Sequence, residues 1–233
     1  MNNIDKLKKI SGINIEKIIT SRRKTIGLQI TEKAELIIRI PFGTKDETII
    51  KIIEKHKKWI NKKREEIIGR NLEFVPKRFF EGESFLYLGK NYPLKISKYQ
   101  SEYLRFDNDS FILKENTAES KRIFMDWYKK KGYEIIRERV NHYALKYGFR
   151  YNNIKITGAN KRWGSCSFKG NLNFSWRLIM APLPIIDYVV VHELSHTKEK
   201  NHGKKFWRIV SSIIPDYKEK ERWLKLKGYL LKL

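Results

Sequence analysis

The spacing of apolar positions along the chain changes period several times, and each change marks an element. Within residues 20–40 two β-prone runs, TIGLQI and AELIIRI, flank the polar TEK, which predicts a hairpin. The period then turns helical: Ile49, Ile50, Ile53, Trp59 and Ile60 recur with Lys and Glu between them, predicting a helix over 46–66 with Thr44 and Asp46 as usable caps. Strand-like composition returns at 80–114, where FLYLG, YPLKI, YLRFD and SFILK are punctuated by Gly89, Asn91 and the turn residues from Asn108 to Ser110. This pattern predicts a small antiparallel sheet of about four to six strands, packed by the helix before it.

From about 117 to 147 the apolar stripe is helical again, built from Ile123, Phe124, Trp127, Tyr128, Tyr133, Ile136, Val140 and Tyr143, with Gly132 as a candidate bend and Gly148 as the expected stop. NIKITG and NLNFSW then read as strands around the insert ANKRWGSCSFKG. A helix starting just after Pro184 would carry Ile186, Val189, Val190 and Leu194 toward a core, followed by helices in HGKKFWRIVSSIIP and DYKEKERWLKLKGYL. The expected class is α+β. A β-rich part with one packed helix is expected over residues 1–115, and a second, largely helical part with a small sheet over 116–233.

Composition changes this picture in two ways. The length of 233 residues and the 41% hydrophobic content allow a sizeable core without a metal to hold it. The formal net charge of +24 is spread over the whole length, so attraction to a polyanion, DNA included, is expected from charge alone. No RNP-like aromatic pattern, GxxG clamp or paired Cys–His finger accompanies it. Cys166 is the single cysteine, which excludes an internal disulfide and fits a reducing compartment. The first twenty residues hold no continuous apolar stretch suited to a signal peptide, and no run suits a bilayer, so a cytoplasmic protein is expected.

The candidate chemistry lies in HELSHTKEKNH, residues 192–202. His192 and His196 stand four apart on a helix, so both imidazoles share one face, as a common metal requires. Glu193 beside them is placed to take a proton from a water that zinc acidifies. The competing reading is a histidine pair at the edge of the core with Glu193 as an ordinary surface acid. Two facts weigh against it: the flanking VVV and Leu194 half bury the element, and three of the chain's five histidines fall within this stretch. His202, between Asn201 and Gly203, is the expected third ligand, leaving a fourth position open for catalysis.

Further blocks carry a resemblance: RWGSCS at 162–167, NFSWRLIMAP at 173–182, DYVVVHELSH at 187–196 and NHGKKFW at 201–207. With the early SRRKTIGLQI and the Trp59 helix, the chain resembles the YgjP-like metal-dependent hydrolases, which are related to the SprT-like zinc peptidases. The resemblance implies a zincin-like catalytic part built on the HExxH helix over 116–233, a zinc site with His192, His196 and His202 as ligands, Glu193 as catalytic acid and base, and a peptide or protein substrate. Glu199 stands where the metzincin form HExxHxxGxxH has Gly, so that family's turn geometry is not transferred.

The RWGSCS insert offers Arg162 as a second catalytic candidate, able to hold a carboxylate or the oxyanion formed when water attacks a carbonyl. Trp163 and Cys166 have structural alternatives, as a residue packing the loop and as a small buried apolar group. A Cys166 ligand would close the metal site. Tyr188 falls on the motif's face, as a packing residue or an oxyanion donor, whereas His56 and His142 are expected on helix surfaces. The alternative to a peptidase is a nucleic-acid-associated protein with a structural or differently hydrolytic metal site.

Overall fold

In the computed structural model, which describes residues 13–73 and 75–233, the amino-terminal β-branched runs pair as expected and recruit one more strand. Strands β2 (Gly27–Ile30) and β3 (Leu36–Pro41) form the hairpin, and β1 (Ile15–Ser21) adds in parallel to the other side of β3. Helix α1 (Asp46–Glu73) runs past the expected 66. Its Ile49, Ile53 and Ile60 are buried with Ile15, Leu36 and Ile38, whereas Trp59, expected on the same stripe, is 45% exposed. Residues 1–12, part of the segment judged unlike a signal peptide, lie outside the described residues.

The described residues divide into two compact units at 75/76, ahead of the 115/116 division expected from sequence. The reason is packing. Strands β4 (Ser84–Tyr87), β5 (Lys90–Ser97), β6 (Leu104–Asp107) and β7 (Ser110–Lys114) share their core with helix α2 (Ser120–Tyr147), not with α1. Phe85 stacks on Phe124 at 4.3 Å between ring centroids, and Phe111 meets Trp127 edge-on at 5.0 Å. Nor is this sheet purely antiparallel as expected. Its order is β4-β5-β7-β6, with β5 and β7 parallel, because the β6–β7 hairpin turns back so that β7 lies next to β5.

Helix α2 passes unbroken through Gly132, which is buried, and ends at Gly148 in the left-handed region, where the Phe149 N–H also returns to the Ala144 carbonyl. A third sheet follows, β8 (Asn153–Thr157), β9 (Gly164–Cys166) and β10 (Asn171–Ser175), in the order β8-β10-β9, so that part of the RWGSCS insert becomes an edge strand. After a 3-10 turn at Trp176–Met180 come α3 (Leu183–Lys198), α4 (Lys204–Ile213) and α5 (Tyr217–Lys227). In α3 the expected core residues Ile186, Val189, Val190 and Leu194 are buried. The Arg139 guanidinium of α2 grips the Asp187 carboxylate of α3 with two bonds, 2.6 and 2.9 Å. The class is α+β, with small mixed sheets. No helix among the described residues is long and apolar enough to cross a membrane.

Candidate metal centre

Helix α3 is fixed by its apolar face, with Ile186, Val190 and Leu194 buried, and this leaves His192 and His196 one turn apart on the other side, next to Val189. The chain leaves the helix at Lys198 and turns sharply, with the Gly203 N–H donating to the Asn201 carbonyl at 2.7 Å, before α4 begins. His202 sits in this turn and points back at the pair. Its Nε2 lies 3.0 Å from His192 Nε2 and 3.1 Å from His196 Nε2. One Nε2 proton serves one of those contacts, not both. Three imidazole nitrogens around a tetrahedral ion at ordinary Zn–N lengths stand about 3.3 Å apart. The donor set and its spacing therefore fit a divalent metal.

The surroundings prepare the rings for that role. His196 Nδ1 is 3.1 Å from the Glu199 carbonyl, so a proton on Nδ1 leaves Nε2 with its lone pair facing the other two rings. Burial pushes His192 down to about 3, with His196 and His202 adding to the effect, and burial also lowers His196. Neutral imidazoles are the form that binds metal. Phe206, fully buried on α4, lies with its ring centroid 4.9, 4.5 and 4.8 Å from those of His192, His196 and His202. It backs all three ligand rings at once.

Glu193 is 5% exposed, on the side of the helix facing β9. A Cβ on Gly164 would stand 2.5 Å from Glu193 Oε1 and 2.8 Å from Cδ, so only glycine allows this approach. Burial pushes the Glu193 carboxyl up to about 8, and the Arg162 guanidinium draws it partly back. A dication among the imidazoles would act in the same sense as Arg162. A recess of 330 Å³ opens beside this carboxylate, walled by Trp163, Tyr188, Val189 and Leu224, with His192 on its lining.

The other sequence candidates fall into place around this centre. Among the described residues the possible ligand cluster is His192, His196 and His202. Cys166 stands outside it, half-buried, its thiol raised chiefly by burial and bonded to the Ser167 carbonyl. Trp163 packs its ring against Gly228, in keeping with its structural reading, and also lines the recess. Tyr188 is buried with its ring 5.9 Å from that of His192. His56 and His142 are exposed on α1 and α2. Phe206 escaped the sequence reading, although its place four residues after His202 carried a helical-spacing signal. Gly164, expected as a glycine of the RWGSCS insert to allow a tight backbone approach, admits Glu193.

A family model described as YgjP-like, metallopeptidase domain, matches residues 24–227. The UTP pyrophosphatase of Escherichia coli (strain K12) is 44% identical over 41 residues, 18% of this chain, and the match spans 25% of that relative's length. Two solved structures are metallopeptidase zymogens. Abylysin of Pyrococcus abyssi aligns at 23% identity and TM-score 0.36, over 39% of this chain and 92% of its own. Jannalysin of Methanocaldococcus jannaschii aligns at 25% identity and TM-score 0.36, over 40% of this chain and 95% of its own.

Proposed function

The chain belongs to the YgjP-like metallopeptidase family, and on that premise we propose that His192, His196 and His202 hold a zinc ion and that Glu193 activates water to hydrolyse a peptide bond. The observation that carries this reading is the convergence of three Nε2 atoms beside a buried carboxylate. When bound, zinc supplies a Lewis-acid centre that acidifies water and polarises a carbonyl. Glu193, held in place by the close approach of Gly164, takes the proton from the attacking water and passes it to the departing amine. Arg162, near enough to act on the Glu193 carboxylate, stabilises negative charge growing on the carbonyl oxygen. The apolar recess beside Glu193 excludes water from one flank of the scissile bond and receives a substrate side chain.

A second reading is favoured by one comparison: the E. coli relative is a UTP pyrophosphatase. The same groups would then direct water at a phosphoanhydride of a nucleoside triphosphate. The decisive experiment incubates wild type and Glu193→Gln, both zinc-loaded, with an unfolded protein substrate and separately with UTP. Cleavage of the protein, lost by about 10³-fold in Glu193→Gln with zinc retained, supports the peptidase. Pyrophosphate release with the same dependence supports the second reading, and equal activity in both proteins overturns the role of Glu193.

A further inference from the structure

A second recess, of 220 Å³, opens on the other side of Gly164 from the metal ligands' helix, and its lining has an unusual charge balance. The sheet register explains how it forms. Asn173 of β10 pairs with Lys155 of β8 on one side and with Ser165 of β9 on the other, so the three side chains make one row across a single face of the sheet. Thr157 follows Lys155 on the same face, two residues along, and Arg162 reaches over from the turn before β9. The opposite face carries Ile154, Leu172 and Phe174 into the core.

The groups that line this recess are poised to donate. Lys155 and Arg162 form no ion pair among the described residues. The Asn173 Nδ2 donates to Ser165 Oγ at 3.3 Å, which leaves the Ser165 hydroxyl proton and the second Asn173 amide proton for another acceptor. No carboxylate is among the lining residues. General positive charge does not account for this, because the larger recess between β6 and the start of α2 sets Glu102, Glu115, Glu119 and Asp126 among its lysines and arginines. Lys155 and neutral donors around a small concavity whose lining holds no carboxylate are the chemistry of an oxyanion site.

We propose that this recess is an oxyanion subsite that anchors a carboxylate or phosphate group of the substrate, with Lys155, Ser165 and Asn173 as its donors and Arg162 on the rim it shares with the Glu193 side. It deepens the hydrolase reading and rests on it for the word substrate, because Gly164 lines both this recess and the one beside Glu193. The bond to be cleaved and the anchored anion then lie on the two sides of one edge strand.

The test is calorimetric titration of the full-length chain with inorganic phosphate at fixed ionic strength, in zinc-free and zinc-loaded form. Zinc-free wild type is expected to bind phosphate saturably. Lys155→Gln should weaken binding about tenfold, Asn173→Asp should weaken it further by placing a carboxylate in the recess, and Lys130→Gln, in the other recess, should leave it unchanged. Binding only when zinc is present, or equal weakening by all three substitutions, overturns the proposal. Displacement by an acetylated dipeptide with a free carboxyl terminus but not by its amide assigns the anchored group as a carboxylate, and displacement by pyrophosphate alone assigns it as a phosphate. Zinc stoichiometry and hydrolysis are read separately, so a silent enzyme that still binds phosphate in this pattern defeats the hydrolase reading and leaves the subsite standing.

Discussion

Gly164→Ala puts the close packing around Glu193 to a direct trial. The added methyl would sit 2.5, 2.6 and 2.8 Å from Oε1, Cγ and Cδ of Glu193, where ordinary contact begins at 3.4 Å. Strand β9 is poorly placed to yield, since the Ser175 N–H bonds the Trp163 carbonyl at 2.8 Å and the Trp163 ring is wedged against Gly228. The carboxylate therefore retreats by roughly 1 Å, a displacement that costs on the order of 10²-fold in rate when it separates a base from its proton. The assay is kcat and KM on one substrate, with zinc content and Tm measured on the same preparation. A fall in kcat of that size with zinc intact is expected, because the three atoms nearest the added methyl all belong to Glu193 and none to a histidine. A variant whose kcat stays within about threefold of wild type would refute the claim that this approach positions the base.

Two other substitutions probe the support of the centre. Phe206→Leu removes the ring that backs all three imidazoles, and zinc affinity, measured by competition with a chelator, should fall by about 10- to 100-fold while the fold persists. Asp187→Ala strips the partner from Arg139, whose side chain is 20% exposed, and should lower stability by about 1–3 kcal/mol in urea unfolding; an unchanged midpoint would mean the pair does not secure α3 on α2.

The histidine cluster was legible because its spacing is local. His192 and His196 are a helical turn apart, and the turn at Asn201–Gly203 brings His202 back within a few residues. The helices were legible for the same reason, down to the stop at Gly148. What the sequence hid depends on partners far along the chain. The parallel pairing of β1 with β3 and of β5 with β7 leaves no mark on the period of either strand. The placement of β4–β7 against α2 rests on which aromatic face meets Phe85 and Phe111, and alternating apolar residues fit either helix. The sequence marked Gly164 as a point of tight backbone approach but not what approaches it, since the partner is a carboxylate 29 positions later. Lys155 and Asn173 share a row with Ser165 only through the strand register, which the sequence of each strand does not carry.

The central claim is that three histidines hold the metal, and its most direct test is element-resolved metal stoichiometry on protein purified without a metal-affinity column, with His202→Ala alongside wild type. About one zinc per wild-type chain, lost in His202→Ala with the fold retained, is the expected result. Wild type that takes up no metal even after zinc is added, or His202→Ala that keeps its full complement, would contradict the account.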